Sequence, residues 1–170
     1  FRKFIKKLKK NNSLIINLDS PGIKKLLRNI KKQLGQKINI FGYTLKSRPL
    51  LEVDTVLKAR ILSLTPEYSE FKISCPKLNL VNQSFRLQIA GEHNISNVLS
   101  AIAATLAFGL KLKEIAKGVE TFSGVTHRLE MVLEKKGVRF YNDSAATIPE
   151  ASMAALRSFS DPVILIAGGS

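Results

Sequence analysis

The sequence predicts an α/β fold in which a parallel sheet with helices packed on it continues into antiparallel strands, after which a second α/β unit begins. Three observations carry this reading. Residues 1–41 alternate helix-like and strand-like segments, the order that builds a parallel sheet. Residues 51–90 change to segments with period-two alternation separated by turn formers, the mark of antiparallel strands with one face in the core. Beyond residue 123 a hairpin pattern, a helix and another strand-like run follow. With 45% hydrophobic residues in 170, the chain can bury a sizeable core as one or two small domains, which argues against disorder.

The elements follow in order. Phe1, Phe4, Ile5 and Leu8 fall at i, i+3, i+4 and i+7 among lysines, so an amphipathic helix is expected to about Lys10. A buried strand follows at 13–18, closed by Asp19, Ser20, Pro21 and Gly22, then a helix at 23–34 and a strand at 37–41. Strands are expected at 54–63, 71–74 and 85–89, separated by Thr65-Pro66-Glu67 and by Asn82 and Gln83. Helices are expected at 92–109 and 113–122, then a hairpin of 129–133 and 138–141 turning through Lys-Lys-Gly. A helix at 148–159 has Thr147 as expected N-cap and Pro149 in its first turn. Residues 163–167 read as a parallel-type strand running into Gly168 and Gly169. A junction at 123–127 divides the chain into domains 1–124 and 125–170.

The net charge of +14 is uneven, because residues 1–40 carry twelve basic residues and one acid, Asp19. Such a skew can mark nucleic acid or an anionic membrane. Here the lysines fall on the polar side of the opening helix, and no RNA-binding aromatic motif, zinc-finger spacing or Arg-rich tract accompanies them. A solvated helix face is the expectation, with no nucleic acid and no membrane. Cys75 is the single cysteine, and there is neither an apolar run of about 18 residues nor a cleavable leader, so a cytoplasmic protein is expected. The chain starts at Phe1 and stops where a turn should open, and both ends read as cuts through a longer protein.

Three clusters carry chemistry. Gly91-Glu92-His93-Asn94-Ile95-Ser96-Asn97 opens a helix with Asn94 and Asn97 on one face near its positive end; these amides can meet a purine edge or a phosphate, or Asn94 can simply cap the helix. Gly124-Val125-Thr126-His127-Arg128-Leu129-Glu130 sets Arg128 beside His127 at the junction, where the guanidinium can grip a phosphate or form a hinge salt bridge. Tyr141-Asn142-Asp143-Ser144-Ala145-Ala146-Thr147 lies between strand and helix, where open α/β sheets carry ligands. Asp143 can accept from ribose hydroxyls, and Ser144 and Thr147 can meet an anion; an ordinary capping turn is the alternative.

In this order, His-Asn-x-x-Asn, Phe-x-Gly-x-x-His-Arg-x-Glu, Asn-Asp-Ser-x-Ala-Thr and a strand ending in Gly-Gly resemble the Mur ligase family. The resemblance implies part of a central ATPase domain followed by the start of a Rossmann-like C-terminal domain. It implies ATP-dependent amide formation through an acyl phosphate, with ATP and Mg²⁺ as cofactors. The Asn-Asp-Ser block resembles the D-glutamate-adding branch, which implies UDP-N-acetylmuramoyl-L-alanine and D-glutamate as substrates and a monomeric enzyme. An L-alanine-adding or folylpolyglutamate-synthase-like ligase is the alternative, and a basic nucleic-acid-binding or degenerate non-catalytic relative is another. By the same resemblance Asn94, Asn97, His127, Arg128 and Asp143 would bind ATP, and Ser144 and Thr147 would face D-glutamate. No catalytic residue and no metal ligand is assigned. Ala145 departs from the family, which often has Lys there to order charge at the acceptor site. No Gly-x-x-x-x-Gly-Lys-Ser/Thr phosphate loop occurs in the 170 residues, so these residues alone are not expected to ligate.

Overall fold

The computed structural model describes residues 2–5, 7–9, 11–23, 25–27, 38–47, 53–65 and 67–168. Strand β1 (Ser13–Asn17) carries three successive apolar residues, as a strand covered on both faces requires. It pairs in parallel with β2 (Asn39–Thr44), with Ile16 opposite Gly42. β3 (Thr55–Leu64) lies parallel to β2 and antiparallel to β4 (Ser69–Cys75), which pairs antiparallel with β5 (Leu80–Leu87). The result is one mixed five-stranded sheet in the order β1-β2-β3-β4-β5.

The two parts of the sheet are covered differently. Helix α2 (Glu92–Ala107; a short α1, Arg2–Ile5, opens the chain) packs one face of the sheet and buries Ile95, Leu99 and Ile102 completely against Leu57, Phe71, Ile73 and Leu87. Each such side chain contributes about 1.5–3 kcal/mol by leaving water. α3 (Leu112–Glu120) closes the same face beside β5 through Ile115 and Val119. Among the described residues the opposite face is covered at its parallel edge, where Leu14, Ile16 and Ile40 meet Ile5, Ile23 and Leu27. Over β3, β4 and β5 no described residue covers that face, and Lys58, Arg60, Lys72 and Arg86 alternate with the buried residues.

Several boundaries differ from expectation for local reasons. α1 ends at Ile5 rather than near Lys10, and the Asn12 side chain takes the Lys9 N–H at 2.7 Å, replacing the helical bond with a turn. Of the helix expected at 23–34, residues 23 and 25–27 are helical, and 24 and 28–34 lie outside the described residues, as does Lys37. Asn82 and Gln83 lie inside β5, not between strands; Asn82 takes φ +50° beside an irregular register at Ile73 and Cys75, and the real turn is the 3-10 segment Pro76–Leu78 closed by Asn79 at φ +55°.

Past α3, β6 (Glu130–Lys135) and β7 (Val138–Asn142) form the expected hairpin. Its turn is Lys136-Gly137, both at positive φ, which matches the strand twist. α4 (Pro149–Leu156) starts one residue later than expected: Ile148, not Thr147, is the N-cap, because Pro149 sits in the first turn and Ala151 donates to the Ile148 carbonyl. The strand expected at 163–167 is absent. Residues 162–168 form no regular structure, and Ile164 and Ile166 are 92% and 93% exposed. A parallel strand takes every ladder bond from its neighbours, and no described strand lies beside this one. Gly168 is described and Gly169 is not.

Candidate functional site

Gly91 precedes α2 at φ +101°, where an added Cβ would stand 2.8 Å from both His93 Cε1 and Ser158 Oγ. Glycine therefore lets the start of α2 lie close against the end of α4. Gly91 is itself the N-cap, so Asn94 does not cap the helix; its buried amide instead donates to the Ala90 carbonyl at 2.7 Å. Asn97 stands one turn further along at the surface. The neighbouring Ser96 hydroxyl accepts from Asn17 at 3.4 Å, tying α2 to the carboxyl end of β1.

The segment between α3 and β6 brings the second cluster to the first. Arg128 is held between two non-glycine residues of left-handed conformation, His127 at φ +66° and Leu129 at φ +47°. Acidic side chains receive both backbone donors: His127 N–H bonds Glu130 Oε2 at 2.7 Å, and Leu129 N–H bonds Asp143 Oδ1 at 3.0 Å. Such charge-assisted bonds offset the cost of left-handed backbone, about 1–3 kcal/mol per residue. The Asn142 amide lies 2.9 Å from His127 Nδ1, and Ala145 N–H donates to the His127 carbonyl at 3.0 Å. The loop after β7 is thereby tied to the Arg128 segment.

Asn94, Asn97 and Arg128 line one cleft of about 230 Å³ whose walls are Ile89, Val98, Phe122 and Val125. His93, half-buried beside it, is held below the ordinary imidazole pKa by burial first and by the Arg128 charge second, with Asp143 acting in the other direction. Of the other predicted residues, His127, Asp143 and Ser144 belong to the loop network, where Ser144 N–H donates to Asn142 Oδ1. Thr147 is exposed and does not line this cleft. Sequence reasoning missed the walls Ile89, Phe122 and Val125 and the support from Glu130 and Asn142. The spacing of Glu130 three residues after His127 was a usable signal; the walls gave none, since exposed apolar residues are common on any surface.

Chemically, the cleft offers apolar walls, two carboxamides and the guanidinium of Arg128, whose backbone neighbours are held on both sides, the components that can meet a flat polar heterocycle with an anionic substituent. Among the described residues no three His, Cys, Asp or Glu side chains gather to hold a metal ion, and no helix is long and apolar enough to cross a membrane.

Relatives are informative at this point. A UDP-N-acetylmuramoylalanine–D-glutamate ligase of Roseiflexus sp. is 54% identical over 84 residues, 49% of this chain and 18% of the relative. The ligase of the same name from Pelotomaculum thermopropionicum is 46% identical over 90 residues, 53% of this chain and 20% of the relative. The matched stretches thus span about a fifth of these relatives' length. Among solved structures, MurF from Acinetobacter baumannii superposes with a TM-score of 0.73 at 23% identity, covering 92% of this chain and 31% of that one. Folylpolyglutamate synthetase from Lactobacillus casei superposes at 0.67 with 16% identity, covering 95% and 39%. These likenesses establish a shared mixed α/β fold. Residues 1–105 match the family described as Mur ligase middle domain, and with its sheet, helices and motif order in agreement the chain belongs to the Mur ligase family.

Proposed function

We propose that this chain supplies the nucleotide-facing part of an ATP-dependent, amide-forming ligase of the cytoplasm that joins D-glutamate to UDP-N-acetylmuramoyl-L-alanine in peptidoglycan precursor synthesis. The observation that carries this is the convergence of Asn94, Asn97 and Arg128 from two distant segments on one cleft with apolar walls. Residues 1–124 would belong to the central domain and residues 125–170 to the domain that receives the amino acid. The residues present fit ATP at its adenine end. Val98, Phe122 and Val125 would sandwich the ring, Asn94 and Asn97 would meet its polar edge, and Arg128 would face the phosphates. Asp143, already fixing Leu129 N–H, would accept from ribose, with His127 holding the loop and Ser144 and Thr147 facing D-glutamate. Bound ATP would supply the phosphoryl group that activates a carboxylate for amide formation. The described residues do not fit Mg²⁺, since no acidic cluster gathers among them.

Titration calorimetry of the chain with adenosine and with ATP tests the nucleotide reading. Asn97→Leu should weaken both ligands alike, whereas Arg128→Ala should weaken ATP by about tenfold or more and adenosine little. Equal loss for both ligands on replacing Arg128 removes it from the phosphate side. An acceptor screen of the complete ligase with D-Glu, L-Ala and L-Glu tests the substrate. The sharing of this fold by MurF and folylpolyglutamate synthetase makes preference for another acceptor the competing outcome.

A further inference from the structure

The open face of the β3–β5 sheet concentrates positive charge in a way that folding alone does not explain. Arg60 lies directly opposite Lys72, and Lys58 lies opposite Ser74 two residues along, in the next pair on the same face. Like charges facing across a sheet are destabilising. On the same face Arg86 shows the ordinary remedy, an ion pair with Glu70 at 3.8 Å and a place over the Tyr68 ring at 4.0 Å. Among the described residues Lys58, Arg60 and Lys72 have no such carboxylate partner, nor does Lys46, which follows β2. These four cations line a cavity of about 440 Å³ together with Ser74 and Asn82. Ser74 Oγ accepts from Asn82 N–H at 3.0 Å, which leaves its hydroxyl proton to donate. One carboxylate, Glu92, joins the lining from the start of α2.

We propose that this cavity binds a small polyanion carrying several phosphate groups. Four cations and a hydroxyl donor against one carboxylate select an anion, and a group of multiple negative charges relieves the Arg60–Lys72 repulsion that the bare sheet retains. The concave shape favours a compact ligand over a nucleic acid strand. Tyr68, the aromatic ring on this face, is covered by Arg86 and offers no open surface for a base to stack on. The site shares no lining residue with the Asn94–Arg128 cleft, so it stands independently of the ligase reading.

Titrating the 170-residue chain with inorganic tripolyphosphate at about 150 mM salt, followed by amide NMR, tests this. Saturable shifts are expected at Lys46, Lys58, Arg60, Lys72 and Ser74. Arg60→Gln with Lys72→Gln should weaken binding by about tenfold or more, and Glu92→Gln should tighten it. Lys113→Gln with Lys117→Gln, the same charge change on the exposed side of α3, should leave it unchanged. The Arg60/Lys72 variant should also be at least as resistant to urea as the parent, which separates lost binding from lost folding. Equal weakening by both charge pairs, absence of saturation, displacement by adenosine, or tighter binding of an oligonucleotide of matched phosphate count would each overturn the proposal.

Discussion

Adding one carbon at Gly91 and one at Gly118 should move stability in opposite directions. Gly91 has φ +101°, a conformation that costs an L-residue on the order of 1–3 kcal/mol. Its new Cβ would also stand 2.8 Å from Ser158 Oγ and 2.8 Å from His93 Cε1, so the Ser158 hydroxyl and the His93 ring must move aside, at about 1–3 kcal/mol for overpacking. The stiffer unfolded chain returns about 0.4–1 kcal/mol, leaving a net loss of about 1–5.5 kcal/mol for Gly91→Ala. Gly118 lies in α3 with nothing within 4 Å of its Cβ position, so Gly118→Ala should gain about 0.5–1 kcal/mol of helix propensity. Urea unfolding followed by circular dichroism reads both as midpoint shifts at constant slope. Combining Gly91→Ala with Ser158→Ala should recover part of the loss, since one of the two crowded contacts is removed. Shifts of the same sign at Gly91 and Gly118, or no recovery in the double variant, would refute the claim that the backbone and the α4 contact make glycine necessary.

Two further outcomes follow from buried polar groups. Thr44 is fully buried, donating to Asp19 Oδ1 at 2.5 Å and accepting from Lys46 N–H at 3.0 Å; Thr44→Val should cost about 1.5–3 kcal/mol in the same unfolding assay, while Thr44→Ser keeps most of the stability. Burial first and the Arg128 charge second lower the pKa of His93, so the folded state binds its proton less readily than the unfolded state does. Its contribution is complete above the usual imidazole pKa of about 6.5 and is lost as pH falls through that value toward the lower folded one. His93→Asn should flatten the fall in urea midpoint between about pH 7 and pH 5, and an unchanged slope would place the titrating group elsewhere.

The period of the apolar residues was enough to read the sheet's change of character. Ser-Leu-Ile-Ile-Asn in β1 has no polar alternation because helices cover both faces there, while Leu-Lys-Ala-Arg-Ile in β3 alternates because one face meets water. The helices of the 92–120 stretch, the hairpin at Lys136-Gly137 and the order of the three motifs were legible on the same local grounds. Local pattern erred where two readings were compatible with the same residues. Pro149 moved the cap from Thr147 to Ile148, a bulge absorbed Asn82 within β5, and the apolar run at 163–167 found no strand to pair with.

The site divides along the same line. Asn94, Asn97 and Arg128 were visible as chemistry, each in a motif that can be read alone. That they line one cleft, that Glu130 and Asp143 secure the backbone either side of Arg128, and that Arg60 and Lys72 face each other on an open sheet depend on contacts between distant segments. Side-chain chemistry and hydrophobic period are properties of neighbouring residues, so the sequence by itself determined the elements and the motif inventory. Register, enclosure and charge proximity arise only when chain segments far apart in sequence are brought within a few ångströms, and these the tertiary structure decided.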